Sequence, residues 1–192
     1  MNLGMDCAFL LDDAPERPLV ARQSRKPRIT TFFHRSRISN LNDLTGLLST
    51  IPHEGTVKSL TGWLQLPKGR AASSHFERLR DVILQSDVMV TDTYHVAVNA
   101  VRDGVPTICI GNYCESQRDT LDDFKKKILF RDLGLSDCYF EIQDSQLSTD
   151  QVKDIGNKIS CINQIEFKQA MRERVDALRE QFHQNLEGLF AD

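Results

Sequence analysis

The sequence predicts an α/β fold, a single Rossmann-like three-layer domain with a mostly parallel sheet and a C-terminal helical tail. Short apolar runs alternate with stretches of helical period, the pattern of helices layered on a sheet. The segment from Ser86 to Gly111, SDVMVTDTYHVAVNAVRDGVPTICIG, reads as strand, polar turn, helix and second strand, a parallel βαβ unit. A length of 192 residues suits one full hydrophobic core and is short for two domains of usual size. The domain is therefore expected to span 1–192, with the tail over about 148–190.

The elements follow in chain order. Cys7 to Leu11 reads as a short strand, followed by a linker holding Pro15 and Pro18. Ile29 to Phe33 is a second strand, a helix starts behind Ser39 or Asn40, and Val57 to Leu60 is a third strand. Between Trp63 and Ser74 neither period holds, which predicts a loop, with Ser74 capping a helix from His75 to about Gln85. Its apolar positions Phe76, Leu79, Val82 and Ile83 share a face. Val88 to Val90 and Thr107 to Ile110 are the strands of the βαβ unit, joined by the helix after His95. A helix over Asp119 to Phe130, a turn at Gly134, a strand at Tyr139 to Ile142 and helical sequence from Ser148 complete the chain. In the tail Met171, Val175, Leu178, Phe182 and Leu189 recur at helical spacing, as expected of a helix packed on the sheet.

A net charge of −3 points by itself to neither nucleic acid nor membrane. Five cysteines, Cys7, Cys109, Cys114, Cys138 and Cys161, are odd in number and lack the paired spacing of zinc or redox sites. Reduced, mostly buried thiols and a cytoplasmic location are expected. The apolar run Ala8 to Leu11 ends at Asp12-Asp13, too short for a signal or a membrane span. No spacing suggests a metal site.

Six basic residues, Arg22, Arg25, Lys26, Arg28, Arg35 and Arg37, occur between positions 22 and 37 without an acidic one. Arg25, Lys26 and Arg28 precede a strand, away from the ligand edge, and read as solvated surface. His34, Arg35 and Arg37 follow that strand, on the same edge as His95 if the sheet is parallel. Arg grips phosphate or carboxylate with two donors at once. Lys68 and Arg70, around Gly69, are a further pair able to reach an anion. His95 falls at the start of a helix, where unpaired N–H groups favour an anion and an imidazole can exchange a proton near neutral pH. Asp92 or Thr93 is the expected N-cap of that helix.

Ser86-Asp87, the strand, Thr91-Asp92-Thr93-Tyr94-His95 and then Gly104-Val105-Pro106 closely resemble a segment of the polysaccharide pyruvyl transferases. There an apolar strand runs into T-D-(S/R)-x-H and a helix ending in G-V-P. Asp6-Cys7-Ala8-Phe9-Leu10-Leu11 is similar to that family's D-x-x-F-L-L strand, and Lys126-Lys127 with Leu133-Gly134-Leu135 to its late K-x(n)-L-G-L stretch. The similarity spans most of the chain, and its specific part is the segment around His95. Many members carry Arg at the position of Thr93, so the anion contact made by that Arg does not carry over.

The resemblance implies the C-terminal half of a glycosyltransferase-B-like enzyme that moves a pyruvyl group from phosphoenolpyruvate to a sugar of an exopolysaccharide or cell-surface glycan precursor. It implies His95 as the acid, Asp92 orienting it, Arg35, Arg37, Lys126 and Lys127 holding anions, and Tyr94 and Thr93 at the substrate. It implies no cofactor beyond the donor phosphoenolpyruvate, a saccharide or lipid-linked saccharide acceptor, and work in the cytoplasm, including at the inner face of the membrane. Members carry an amino-terminal half before the D-x-x-F-L-L strand, so weak or no turnover is expected of this chain alone, with a second chain as partner for the other wall of the cleft. Two other readings stand beside this one: a nucleotide-sugar glycosyltransferase-like domain, and a non-catalytic truncated remnant. The absence of G-x-G-x-x-G and of a P-loop disfavours a nucleotide.

Overall fold

The computed structural model describes residues 26–51, 57–65, 71–112 and 120–189. The strand expected at Cys7 to Leu11, the cations Lys68 and Arg70, and Cys7 and Cys114 lie outside them.

Five parallel strands, β1 (Ile29–Phe32), β2 (Lys58–Ser59), β3 (Val88–Thr91), β4 (Thr107–Asn112) and β5 (Tyr139–Ile142), form one sheet in the order β2-β1-β3-β4-β5. Among the described residues six α-helices connect and follow them: α1 (Leu41–Thr50), α2 (Ala71–Leu84), α3 (Tyr94–Arg102), α4 (Thr120–Asp132), α5 (Thr149–Ile162) and α6 (Ile165–Leu189). The fold is the α/β, Rossmann-like architecture read from the sequence, and the sheet is parallel throughout.

The three central strands are covered on both faces, which explains their unbroken apolar runs. Ile29, Val88, Val90, Ile108 and Ile110 belong to the larger buried cluster, which includes Leu44 and Leu48 of α1 and Ile155 and Ile159 of α5. Phe32 and Met89, displaced by one residue, pack instead with Leu79 and Ile83 of α2 and Val96 and Ala100 of α3. β2 is short and its two side chains are exposed, as befits a sheet edge.

Several boundaries differ from the sequence reading. α2 begins at Ala71, so Ser74 lies inside the helix and does not cap it. The third strand shrinks from Val57–Leu60 to two residues. The tail is two helices separated at Asn163, and α5 starts with a capping box: Ser148 Oγ accepts the Gln151 N–H and the Gln151 side chain accepts the Ser148 N–H. Met171 and Val175 are buried as the stripe predicts.

α6 reaches the residues that lead into the strands. Arg172 crowds Gly104 before β4, and Arg174 donates to the Gly134 carbonyl before β5 at 2.6 Å. Arg28 pairs with Asp87 at this amino edge, with Nε–Oδ2 at 3.1 Å, so it is an ion-pair partner where the sequence suggested solvated surface. Cys109 and Cys138 are buried free thiols, each pushed up to about 12 chiefly by burial, and Cys161 is an exposed free thiol.

Candidate functional site

In a sheet of order 2-1-3-4-5 the connections leave in opposite directions from β1 and β3, and doubly wound sheets bind ligands in the crevice beyond the carboxyl ends of the strands at such a switch point. The segment after β1, residues 33–40, and the turn after β3, residues 92–93, meet there. The structure brings His34, Arg35 and Arg37 to the same edge as Asp92, Thr93, Tyr94 and His95, as the parallel reading required.

Asp92 joins the two segments. Its Oδ1 accepts the His34 N–H at 2.8 Å, and its Oδ2 accepts the Arg35 and Ser36 N–H groups at 2.9 and 2.7 Å. Thr93 Oγ1 donates to Asp92 Oδ1 at 3.0 Å. Three consecutive amides thus enclose a carboxylate that is 1% exposed. The family resemblance implied that Asp92 orients His95; in the structure its carboxylate holds the backbone of the segment that carries Arg35 and Arg37. Such a clamp is the ordinary way to bury a charge, because charge-assisted bonds from backbone donors offset its lost hydration.

This use of Thr93 has a consequence for α3. Thr93 occupies the N-cap position with extended backbone, and its hydroxyl, turned to Asp92, makes no cap bond to the helix. The first-turn N–H groups have no intrahelical acceptors, so the amino end of α3 carries positive potential. His95 is the second residue of that helix, exposed, with its ring edge-on to Tyr94 at 5.4 Å between centroids. Tyr94 is half-buried.

Arg35 and Arg37 are exposed. Arg37 has φ of 47°, a left-handed conformation that side chains other than glycine seldom adopt. Ser36 between them is buried and its hydroxyl faces the Ile110 carbonyl at 3.5 Å. Asn112 Nδ2 donates to the Ser36 carbonyl at 3.3 Å and to Ser145 Oγ at 2.7 Å, and Ser39 N–H donates to the Ser145 carbonyl at 2.8 Å. Residues 33–40 therefore cross the carboxyl edge from β1 to the turn after β5.

The two lysines behave otherwise than expected of anion holders. Lys126 is fully buried: Nζ donates to the carbonyls of Asp92 at 2.7 Å and Ile110 at 3.1 Å, and pairs with Asp123. An ammonium has three protons, and all three are engaged. Lys126 ties the ends of β3 and β4 together beneath the turn. Burial raises the Asp123 carboxyl, against the opposing pull of Lys126. Lys127 is exposed and bridges to Glu141 on β5 at 2.7 Å. Neither lysine joins His95 at the crevice.

The chain matches no protein-family model and no curated protein. The described residues contain no group of three or more His, Cys, Asp or Glu able to hold a metal ion, and none of their helices is long and apolar enough to cross a membrane. The sequence reading missed the Asp92 clamp and the burial of Lys126. No local pattern distinguishes a carboxylate aimed at its own backbone from one aimed at a ligand. Ser148-x-x-Gln151 has the spacing of the capping box it forms, a local signal that the sequence reading did not use.

Proposed function

We propose that the crevice between β1 and β3 binds a small metabolite with two anionic groups, phosphoenolpyruvate, and that the domain acts in pyruvyl transfer to a saccharide with His95 as the proton donor. The observation that carries this is the amino end of α3 at the carboxyl edge of the sheet: the Thr93 hydroxyl is turned to Asp92 and does not cap the helix, and an exposed imidazole stands in the first turn. Helix N-termini receive phosphate and carboxylate through backbone N–H groups, and ligands of doubly wound sheets sit at this switch point. Arg35 and Arg37, on the segment held by Asp92, supply cations at the same edge.

In this reading the methylene carbon of phosphoenolpyruvate takes a proton from His95, and two saccharide hydroxyls form C–O bonds to the adjacent carbon. The C–O bond to phosphate breaks. One hydroxyl proton replaces that given by the imidazole and the other leaves with phosphate, so a ketal and hydrogen phosphate result. Holding the carboxylate and phosphate electrostatically, in a preorganised site, is the larger part of such catalysis.

The test compares melting temperatures of the purified chain with phosphoenolpyruvate and with a uridine diphosphate sugar, since a ligand of the native state raises the transition. A shift with phosphoenolpyruvate that His95→Ala and Arg35→Ala reduce supports the reading. A shift with the nucleotide sugar alone replaces it by a glycosyltransferase-like one, and no shift with either points to a non-catalytic domain.

A further inference from the structure

A cleft of about 520 Å³ lies on the same carboxyl edge, between the amino ends of α1 and α5 and the turn after β5. That volume falls within the about 300–1,000 Å³ typical of small-molecule sites. We propose that it binds a neutral pyranoside; resting on the function proposed above, that ligand is the saccharide acceptor.

The frame of the cleft is fixed by bonds within the chain. Asn40 Nδ2 donates to the Leu147 carbonyl at 2.9 Å and to Asp43 Oδ2 at 3.2 Å, while Asn40 Oδ1 accepts the Leu147 N–H at 3.0 Å. The capping box secures Ser148, and Ser39 holds Ser145 through its N–H and its hydroxyl. Asp144 and Ser145 take left-handed backbone, with φ of 52° and 58°, which turns the chain sharply between Gln143 and Gln146. Buried Leu147 and half-buried Val152 supply an apolar floor.

The rim differs from the frame. Gln143, Asp144, Gln146 and Thr149 are exposed, line the cleft, and make no side-chain hydrogen bond within the described residues. Two amides, a carboxylate and a hydroxyl thus offer both donors and acceptors. Among the described residues the lining contains no Lys, Arg or His, which disfavours a phosphate or a carboxylate, and no aromatic ring, which disfavours a nucleobase. Vicinal hydroxyls, each both donor and acceptor, suit such a rim, and the axial C–H face of a pyranose suits the apolar floor.

Position supports the same ligand. β3 and β5 are two strand spacings apart, about 10 Å, and the segment 33–40 links the His95 crevice directly to Asn40 at the cleft. A saccharide seated on β5 can thus extend toward His95.

The experiment is a ¹⁵N–¹H NMR titration of the full chain with lactose, and separately with phosphoenolpyruvate. Lactose is expected to shift the amides of residues 143–149 and the side-chain amides of Gln143 and Gln146, with millimolar affinity. Gln143→Ala combined with Thr149→Ala should weaken it about tenfold, as should Asp144→Asn combined with Gln146→Ala, in which Asn keeps the left-handed backbone tolerable. Absence of these shifts, shifts confined to His95, or variants that bind lactose as well as the parent would each overturn the proposal. The phosphoenolpyruvate titration separates the two hypotheses. Loss of its shifts at Arg35 and His95 with lactose binding retained removes the pyruvyl-transfer reading and leaves the saccharide cleft; the converse removes the cleft alone.

Discussion

Lys126 Nζ donates to the backbone carbonyl of Asp92 at 2.7 Å from a side chain with no solvent exposure. The same ammonium reaches Ile110 and Asp123, so the turn that presents His95 rests on a buried cation. Lys126→Met should leave Asp123 as a buried unpaired charge and two carbonyls without donors. A loss of about 3–5 kcal/mol is expected, read as a lower urea midpoint with an unchanged slope.

Asp92→Ala removes the acceptor of three consecutive amides and should cost about 2–4 kcal/mol. Amide hydrogen exchange at His34, Arg35 and Ser36 should accelerate well beyond the global change, since these groups would open to solvent locally. Asp92→Asn keeps the shape but turns an NH2 group toward an N–H, and should fall between the parent and Asp92→Ala. Equal exchange rates in all three proteins would contradict the clamp.

His95→Gln should leave stability within about 0.5 kcal/mol of the parent, because the side chain is exposed, its ring edge-on to Tyr94. Thermal denaturation without ligand checks this. The neutral result is what makes a lost response to phosphoenolpyruvate interpretable as chemistry and not as unfolding.

Gly111, the residue before the last of β4, sits where a methyl group would overlap the Tyr139 hydroxyl and lie 2.7 Å from its ring carbon Cζ. Gly111→Ala should destabilise by about 1–3 kcal/mol through overpacking. Adding Tyr139→Leu should recover part of that loss, giving a double-mutant coupling that chemical denaturation can measure.

Burial raises the Asp87 carboxyl, but hydrogen bonds and charge from Arg28 outweigh it and hold the group below the ordinary carboxylate range. An acid with a depressed native pKa contributes stability above its unfolded value of about 4 and loses that contribution as pH falls through the lower native value. Asp87→Asn should therefore flatten the acid limb of the stability curve below about pH 4 while lowering the neutral plateau. Urea denaturation across that range tests both.

The chain's local patterning was enough for the fold. Apolar runs at Ile29, Val88 and Thr107, broken by helical spacing and by Gly104-Val105-Pro106, specify strands buried on both faces, and connections of this kind force them parallel. Ser148-x-x-Gln151 likewise specifies the start of α5, because both partners lie within one turn. Ser74 misled, since a residue good at capping is also tolerated inside a helix whose start lies three residues earlier.

The sequence by itself placed His95, Arg35 and Arg37 at one edge, because the period of a strand and the direction of a parallel connection determine where its ends emerge. Which polar group serves the ligand and which serves the scaffold was decided only in three dimensions. Asp92 meets amides about 57 residues away in sequence, at Arg35 and its neighbours, and Lys126 meets the ends of two strands, partners that exist only after the sheet has formed. A buried charge must be matched by whatever donors and acceptors the fold brings to it, and that matching, not the residue type, separates the clamp from the exposed His95.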